Sequence, residues 1–434
     1  MKTKKHGRFL IILFVAVLGI FIFYIIYNSE KDTGGAAEKM LASVTDSPLA
    51  VSYTELPHEI SEDQNIPEDN ISSEEQAQPE EESPPELIEY RISFTGTGDN
   101  LVHQLIWVDA ANRALPDGRA YNFKPMFADV AGMIADADIA FINQETPMAG
   151  SDFALAGFPL FNSPQELAYD LAELGFDVIN IAHNHMLDKG ERGFINTANL
   201  LRSLDTMPIG DYLNRDELYE IKVIERGGIK VAFLAYTACT NGIPLPAGAE
   251  IVIPYIDDEL IISQIAKAKE VADTVIISIH WGDENVFSAN AEQQRVAQLI
   301  ADHGVLAIIG HHPHVLQPIE WIEGSGGRRT LCVYSLGNLA SGMILPANQI
   351  GGFISFDIVM QNGIVTLEEP VFTPTIYYYP SGWYNGRIYL LKDYTPELAA
   401  SHGTQTMHGY SRTVEQLWEY VTRTIPAEFL KPRD

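Results

Sequence analysis

The sequence predicts a layered α/β domain that follows a charge-free apolar segment and an acidic linker. From residue 90 onward, short apolar runs alternate with amphipathic stretches, which is the pattern of strands and helices in α/β proteins. Hydrophobic residues make up 46% of the 434 residues, enough to bury a large core. The formal net charge of −30 is distributed unevenly and sets the N-terminal regions apart from the rest.

The N-terminal end of the chain predicts a membrane anchor. Residues 1–8 form a basic tip with four Lys or Arg and no acid, and residues 9–27 contain no charged residue. A helix of that length spans roughly 28 Å, enough to cross the core of a bilayer. Because basic flanks stay in the cytoplasm, we expect a single-pass cell-membrane protein with a cytoplasmic N-terminus and an extracellular domain. A cleaved signal peptide is the alternative, but such peptides have a shorter apolar region and an A-x-A-like cleavage site.

Residues 28–88 predict a disordered, acidic Pro/Glu-rich linker. They contain 16 acids, two lysines and six prolines, and Tyr53 is their one aromatic residue. Such a segment cannot bury enough apolar surface to offset its ordering entropy, and like charges and prolines keep it extended. We expect the linker to hold the following domain away from the membrane.

Residues 89–375 predict the α/β domain, and residues 376–434 a C-terminal extension that packs on it. Short apolar runs predict strands at residues 91–98, 138–142, 177–182, 230–236, 274–280, 305–309, 331–335, 353–359 and 364–372. Amphipathic periodicity predicts helices at residues 123–135, 164–174, 193–204, 257–272 and 291–302. The last three strands follow one another without helices, which indicates a mixed or second sheet.

Charge and cysteine content exclude several classes of function. Residues 89–434 carry −20 of the total charge, which argues against a nucleic-acid partner because phosphate backbones are bound by Lys and Arg. Cys239 and Cys332 are the two cysteines of the chain. This number excludes a disulfide framework, a Cys-rich zinc module and an iron–sulfur cluster.

Polar side chains gather where the predicted strands end, which is where α/β sheets bind ligands. Seven of the twelve histidines lie in these segments with acids and asparagines: Asp99, His103, Asn143, Glu145, His183, Asn184, His185, Asp188, His280, His311, His312 and His314. Imidazole, carboxylate and amide ligands without thiolate suit divalent ions, and we expect one or two ions of Mn, Fe or Zn. In His312-Pro313-His314 we expect extended backbone, which would turn both rings toward one cavity.

Six sequence blocks, in order along the chain, carry a resemblance to a known family. They are Gly98-Asp99, Asn143-Gln144-Glu145, residues 175–190, residues 280–284 (HWGDE), residues 310–314 (GHHPH) and residues 334–338 (YSLGN). The chain resembles the CapA family of poly-γ-glutamate capsule synthesis proteins, a branch of the calcineurin-like metallophosphoesterase superfamily. The resemblance covers about residues 91–340. It implies a metallophosphatase-like sandwich in which helices flank two central mixed sheets.

The resemblance also implies roles for individual residues. Six residues would hold two metals: Asp99 and His314 the first, Asn184, His280 and His312 the second, and Glu145 both. His185 would be the general acid or a hydrogen-bond donor to the transition state. Asp188 would orient its ring, although a helix N-cap is an equal alternative for Asp188. Six residues are candidates for the substrate pocket: Asn143, His183, Trp281, Glu284, His311 and Asn338. The alternatives are that His183 supports a metal ligand, that His311 is a bystander and that Trp281 packs in the core.

The chain departs from the broader superfamily at two places, and both departures fit the CapA pattern. Leu101 replaces the histidine of an Asp-x-His motif, and Asn143-Gln144-Glu145 replaces a Gly-Asp-x-x-Asp motif. The first metal then lacks a ligand, so we expect unequal loading, with tight binding at the second site and weak binding at the first. His103 could supply the missing imidazole, although a surface or structural role is the alternative that we favour.

These features together predict a membrane-anchored extracellular protein of poly-γ-glutamate capsule or envelope-polymer biosynthesis. A dinuclear hydrolase centre acting on phosphoester or γ-glutamyl bonds is the first hypothesis. Two alternatives stay open: a non-catalytic metal-binding subunit of a polymer synthase complex, and a general extracellular metallophosphatase. The expected partners are the membrane, other capsule-synthase membrane subunits, and polyglutamate or a phosphoester substrate.

Overall fold

Two mixed β-sheets with associated helices form the described part of the chain, as the sequence predicts. The structure is a computed structural model that describes residues 88–116 and 118–430. The predicted anchor at residues 9–27 lies outside the described residues, as does the linker apart from residue 88. No helix within the described ranges is long and apolar enough to cross a membrane.

The first sheet has eight strands and joins parallel to antiparallel pairs. In spatial order its strands are β14 (Arg387–Leu390), β13 (Ile364–Tyr378), β12 (Ile350–Gln361), β1 (Glu89–Leu101), β2 (Ile139–Asn143), β3 (Val178–Asn180) and β4 (Met207–Ile209), and β11 (Asn338–Ser341) pairs with the end of β1. The strands from β1 to β4 run parallel, whereas β12 to β14 pair antiparallel. Strand β14 comes from the region that the sequence assigned to the C-terminal extension.

The second sheet has six strands around a parallel centre. Its order is β5 (Lys222–Arg226), β6 (Ile229–Thr237), β7 (Thr274–His280), β8 (Ala307–His311), β10 (Arg329–Val333) and β9 (Ile319–Glu323). Strands β6, β7, β8 and β10 run parallel to one another. The two edge strands are antiparallel to their neighbours, β5 to β6 and β9 to β10. The nearly continuous apolar sequence of β7 fits a strand that is buried on both faces.

Helices connect most of the parallel strands. They are α1 (Gln104–Asn112), α2 (Ala131–Ala135), α3 (Glu166–Leu174), α4 (Gly190–Arg202), α5 (Asp258–Val271), α6 (Ala291–Asp302), α7 (Pro396–Ser401), α8 (Gly403–His408) and α9 (Val414–Thr424). Short 3-10 turns occur at Lys124–Phe127, Asp216–Tyr219, Pro346–Gln349, Leu391–Asp393 and Ala427–Phe429. Helix α6 begins with a capping box between Asn290 and Gln293.

One helix prediction was wrong in extent. The helix expected at residues 123–135 is a 3-10 turn followed by α2, because Pro125 lies at the start of the turn and Gly132 weakens the helix that follows. Phe127 and Ile134 are nevertheless fully buried. The amphipathic pattern of this segment therefore predicted the burial of its apolar residues correctly, but the prediction of one continuous helix was wrong.

The two sheets share an apolar core. Phe94 of β1 stacks on Phe356 of β12 at 4.7 Å and on Phe233 of the second sheet at 6.4 Å between ring centroids. Side chains of α9, including Leu417 and Trp418, belong to the same buried cluster. The C-terminal elements thus help to cover the core that holds the two sheets together.

Candidate metal centre

The registers of the two sheets align polar side chains in two rows. In the first sheet, Asp99 of β1 pairs with Asn338 on one side and with Asn143 on the other, and Asn143 pairs with Asn180. In the second sheet, His280 of β7 pairs with His311 of β8. Because the parallel strands end at one edge, the two rows face each other at the carboxyl end of the sheets.

Two glycines allow the strands to approach closely at this edge. A methyl group at Gly98, directly before Asp99, would lie 2.1 Å from the carbonyl oxygen of Gly337. A methyl group at Gly310 would lie 2.1 Å from the carbonyl oxygen of Tyr334. Since both distances are far below van der Waals contact, the segments that carry the polar residues require glycine at these two positions.

The two acids at the centre differ in how they are held. Asp99 is fully buried, and its Oδ1 accepts a hydrogen bond from Asn143 Nδ2 at 2.8 Å. Glu145 follows β2 and is also fully buried, but neither of its carboxylate oxygens has a hydrogen-bond donor among the described residues. Its Oε1 lies 3.5 Å from His314 Nε2 and 3.6 Å from His280 Nε2. Glu145 therefore lies between side chains from different strands.

The remaining predicted ligands surround these acids. His280 Nε2 lies 3.1 Å from Asn184 Oδ1 and 3.1 Å from His312 Nδ1. His314 Nδ1 lies 3.2 Å from Asp99 Oδ2 and 3.0 Å from the amide oxygen of Asn338. All six residues that the sequence assigned to metal binding thus contact at least one other member of the set.

Two triplets of these side chains are close enough to hold an ion each. Glu145, His312 and His314 form one, and Asp99, Glu145 and His280 form the other, with the ligand atoms of each within 4.8 Å of one another. Glu145 is common to both, which is the position expected of a bridging carboxylate. The triplets divide the histidines differently from the expected partition, whereas the short contacts Asp99–His314 and His280–His312 follow it.

Burial and neighbouring charges set the protonation of this cluster. Burial raises the pKa of Glu145 well above its usual value. Burial opposes the charged form of His314, but Glu145 and Asp99 outweigh it and raise the pKa of His314 to about 10. Burial also disfavours ionised Asp99, yet His311 and His314 hold the pKa of Asp99 well below its usual range. Burial, followed by the proximity of His314, lowers the pKa of His312 to about 4.

His185 and Asp188 form a hydrogen-bonded pair beside the cluster. Asp188 Oδ2 accepts from His185 Nδ1 at 2.8 Å and from the backbone N–H of Phe161 at 2.7 Å. Helix α4 begins at Gly190 with Lys189 at its N-cap and no side-chain cap. Asp188 therefore orients the His185 ring, and the N-cap alternative is not observed.

Most residues expected to line a substrate pocket lie behind the ligands. Asn143 and Asn338 are fully buried and bond to Asp99 and His314, and His311 stacks on Phe141. His183 is also buried, and its Nδ1 accepts the backbone N–H of His185 at 3.1 Å. Their burial corrects the assignment of Asn143 and Asn338 to the pocket surface and fits the alternatives for His183 and His311, whereas Glu284 is exposed.

Trp281 packs in the core, which was the alternative to a place in the pocket. It is 2% exposed, its indole N–H donates to the carbonyl oxygen of Tyr334 at 3.0 Å, and its ring stacks on Tyr334. It belongs to the core between the second sheet and its helices. Because successive strand residues point to opposite faces, Trp281 points away from the cluster that His280 faces.

The backbone at His312-Pro313-His314 also differs from the expectation. The φ angles of His312 and His314 are +100° and +56°, so the segment is a tight turn and not an extended strand. The two rings still lie 5.9 Å apart between centroids. Left-handed backbone at two non-glycine residues costs free energy and is a frequent property of functional sites.

His103 has a structural role. It precedes α1, and its Nδ1 accepts the backbone N–H of Gly342 at 3.1 Å and lies 3.0 Å from the carbonyl oxygen of Leu101. Burial lowers the pKa of His103 to about 4. The ring packs edge-on against Phe161, which in turn packs edge-on against His185.

Three contributors were missed from the sequence. Asn180 Nδ2 donates to Asn143 Oδ1 at 2.7 Å, and Asn348 Nδ2 donates to the carbonyl oxygen of His314 at 3.0 Å. Asn241 Nδ2 lies 3.3 Å from His185 Nδ1. Asn180 ends a predicted strand and could have been found by that rule, and Asn241-Gly242 is a turn signal that carries no information about its partner.

A family model described as bacterial capsule synthesis protein PGA_cap matches residues 93–343. This range contains all six residues assigned to metal binding. It covers more than half of the chain.

Curated proteins from several bacteria are similar to part of the chain. The PGA biosynthesis protein CapA of Bacillus subtilis (strain 168) is 35% identical over 171 residues, which are 39% of this chain and 43% of that protein. The capsule biosynthesis protein CapA of Bacillus anthracis is 29% identical over 181 residues, 41% of this chain and 43% of that protein. A probable polyglutamine synthesis accessory protein of Mycobacterium tuberculosis is 24% identical over 249 residues, 54% and 62% of the two chains. The matches span less than two thirds of each relative.

Solved structures show lower similarity. A 5′-nucleotidase precursor from Thermus thermophilus aligns with a TM-score of 0.42 and 13% identity, covering 77% of this chain and 58% of that chain. The calcineurin-like phosphoesterase YfkN from Bacillus subtilis aligns with a TM-score of 0.39 and 13% identity, covering 77% and 97%.

Proposed function

Since this chain belongs to the bacterial capsule synthesis protein family PGA_cap, we propose that it acts in the biosynthesis of a capsule or envelope polymer and that its buried cluster is a divalent-metal hydrolase centre. We further propose poly-γ-glutamate as the polymer. The bond that is cleaved would be a phosphoester or a γ-glutamyl linkage.

One observation carries the metal assignment. Both oxygens of Glu145 are buried without a hydrogen-bond donor among the described residues, although burying an unpaired carboxylate is costly. Glu145 is also the residue that the two candidate triplets share. A cation on each side would satisfy its oxygens, so the residues present fit a pair of divalent ions.

We propose the same division of ligands between two ions that the family resemblance implies. Two sets share Glu145 as the bridge: Asp99 with His314, and Asn184 with His280 and His312. Mixed imidazole, carboxylate and amide ligands suit Mn, Fe or Zn. Bound there, such ions supply Lewis acidity toward an oxygen of the substrate. The set around Asp99 has fewer ligands, and we propose that it binds its ion more weakly.

His185 is the proposed proton donor. Its Nδ1 is held by Asp188 at 2.8 Å, which leaves Nε2 as the nitrogen that can give a proton to a leaving group. The edge of Phe161 lies against the ring, with 4.7 Å between centroids, and limits its rotation. These contacts fix the orientation that general acid catalysis requires, with Nε2 carrying the transferable proton when the ring is protonated on both nitrogens.

A second candidate function is favoured by the burial of the centre. Asp99, Glu145 and Asn184 have no exposed surface, and residues 89–434 carry a net charge of −20 that repels a polyanion. A non-catalytic subunit of a polymer synthase complex, with metals that stabilise its fold, would have these properties.

We also propose that the protein is anchored in the cell membrane by residues 9–27 with its domain outside the cell. The support is the charge-free segment behind four basic residues, and the acidic linker that follows. Other membrane subunits of a capsule synthase are the proposed protein partners.

One preparation tests the two functions. The full chain is purified in detergent, stripped of metal, reloaded with Mn, Fe or Zn, and assayed on aryl phosphates and on poly-γ-glutamate. We expect His185→Ala to lose turnover while it retains its metal content. The control His408→Ala, at an exposed histidine, should keep its turnover. Absence of turnover with every ion, together with a metal-dependent rise in melting temperature, would replace the hydrolase by the non-catalytic subunit.

A further inference from the structure

A basic pocket lies at the end of the second sheet that is remote from the metal centre. It has a volume of about 380 Å³ and is lined by Lys269, Arg328 and Arg329 together with the first residues of β7 and the residues before β8. The metal ligands lie at the carboxyl ends of the same strands. Since β7 has seven residues, the two sites are separated by about 20 Å along the strand.

The three cations of the basic pocket have no carboxylate partner among the described residues. Lys269 Nζ donates to the carbonyl oxygen of His303, and the Arg329 guanidinium lies 4.6 Å above the Trp321 ring. The carbonyl oxygen of Arg328 accepts the backbone N–H of Gly324 at 2.9 Å, whereas its guanidinium has no ion pair or hydrogen bond within the described ranges. Stacking on an aromatic face leaves the N–H edge of a guanidinium free for a planar anion.

The cations are also close to one another. A methyl group placed on Gly304 would lie 3.2 Å from Lys269 Nζ and 3.9 Å from Arg328 Cδ, so both side chains lie against the same backbone. Burial, followed by the charge of Arg328, lowers the pKa of Lys269. An anion between the two side chains would relieve this repulsion.

The charge of the basic pocket is opposite to that of its surroundings. Its one acid is Asp273, whose carboxylate accepts the backbone N–H of Lys230 at 2.8 Å, so the lining carries a net charge of +2. Residues 89–434 carry −20 in total. A local positive field in a strongly acidic domain selects for an anion and holds it at a defined place.

We propose that the basic pocket binds a linear chain of carboxylates, such as γ-linked polyglutamate. Three separate cations fit more than one carboxylate, which favours a polymer over a single small anion. The inference deepens the proposed role in polymer biosynthesis, but it requires neither a metal nor turnover. The basic pocket would hold the polymer, and chemistry would be confined to the other end of the sheet.

The acidic linker is a second source of the same chemistry. It holds 16 acids, and it precedes β1, whose Glu89 pairs with Gln361. Gln361 in turn pairs with Ile364, which lines the basic pocket. The chain therefore enters the domain about two strand spacings, or about 10 Å, from the basic pocket. The experiment has to distinguish carboxylates of the linker from those of an added polymer.

The test measures binding of a fluorescein-labelled decamer of γ-linked glutamate to the full, metal-free chain in detergent. We expect Lys269→Gln/Arg328→Gln to weaken binding at least tenfold, and the control Lys392→Gln/Arg423→Gln, which removes the same charge from sites outside the pocket, to weaken it less than twofold. Unchanged melting temperatures verify the fold of both pairs. If the triple variant Glu80→Gln/Glu81→Gln/Glu82→Gln binds the decamer more tightly, linker carboxylates compete for the basic pocket in the unliganded chain. If its affinity for the decamer is unchanged, the basic pocket is open to added polymer.

Three results would overturn the inference. They are absence of decamer binding, an equal loss of affinity in the two charge-removing pairs, and displacement of the decamer by inorganic phosphate at the same concentration of charge. Since the protein is metal-free in this assay, none of these results bears on the hydrolase centre. Conversely, a failure of turnover in the preceding experiment leaves decamer binding as an independent measurement.

Discussion

Metal binding at the centre should release protons, and this linkage can be predicted from His314. In the metal-free protein its Nδ1 lies 3.2 Å from Asp99 Oδ2 and its Nε2 lies 3.5 Å from Glu145 Oε1. Burial opposes the proton, but the two acids raise the pKa of His314 to about 10. His314 is therefore protonated on both nitrogens at neutral pH, and it must lose one proton before it can bind an ion.

The size of the effect follows from the proton count. One proton released by His314 makes the apparent affinity rise about tenfold per pH unit, which is about 1.4 kcal/mol per unit. Burial also raises the pKa of Glu145 well above its usual value, so its proton adds to the slope wherever Glu145 is still protonated. Burial lowers the pKa of His312 to about 4, so this ring binds metal without releasing a proton above pH 6. We expect a slope between one and two protons from pH 6 to 9.

Calorimetric titration with Mn²⁺ in buffers of different ionisation enthalpy measures the protons directly. The full chain is stripped of metal and titrated at several pH values between 6 and 9. His314→Gln should lower the released number by about one proton and weaken binding, and His408→Gln at an exposed histidine should change neither. An affinity that is independent of pH over this range would refute the protonation that we assign to His314.

Thermal stability gives a second readout of the same linkage. A group whose pKa is raised by folding stabilises the protein fully below its unfolded pKa and loses that contribution as the pH rises toward the folded value. For His314 the loss runs from about pH 6.5 to about pH 10, and Glu145 acts in the same direction. The metal-free chain should therefore melt at a lower temperature at pH 9 than at pH 7, and saturating Mn²⁺ should reverse this order.

Three further substitutions test the contacts around the centre. Asp188→Asn removes the charge from the hydrogen bond to His185. A hydrogen bond to a charged group contributes about 1.5–3 kcal/mol, so turnover should fall about 10–100-fold while the metal content stays unchanged. Undiminished turnover would contradict the pairing of His185 with Asp188. Gly98→Ala places a methyl group 2.1 Å from a backbone oxygen and should lower stability by about 1–3 kcal/mol in denaturant melts. The control Gly132→Ala should not, because its methyl group would lie 3.9 Å from Asp136 Oδ2, an ordinary van der Waals contact. Trp281→Phe should cost about 1–3 kcal/mol but leave Mn²⁺ affinity within about twofold; a larger change in affinity would reassign Trp281 to the centre.

The fold class could be predicted because periodicity and burial agree over long segments. Strand β7 was predicted with its observed bounds, and the mixed character of the sheets followed from the late strands without helices. Strand β4 (Met207–Ile209) and strand β11 (Asn338–Ser341) are too short to give a periodic signal, and they form only because neighbouring strands supply partners. The family resemblance is confirmed by the match over residues 93–343.

The location of the candidate site could be predicted from the sequence, whereas the direction of each side chain could be predicted only in part. The rule that ligands lie at strand ends brought Asp99 and His280 to one edge. Alternation along a strand places Trp281 on the face opposite to His280, which favours the packing alternative for Trp281. The left-handed backbone of His312 depends on contacts made after folding, including the bond from its N–H to Asp99 Oδ2 at 3.3 Å. No local pattern of the sequence specifies such a contact.

The amide at position 143 explains how the centre holds its acids without a further charge. Asn143 donates to Asp99 at 2.8 Å and accepts from Asn180 at 2.7 Å, so a row of amides across three parallel strands fixes the carboxylate. A carboxylate at this position would place two buried negative charges in contact, which is costly unless a cation lies between them. The neutral row orients Asp99, which His311 and His314 keep ionised, and it would offer less negative charge to an ion at the first site than a row with a second carboxylate. The weaker binding that we propose for that site would then follow from the amides that hold Asp99 in place.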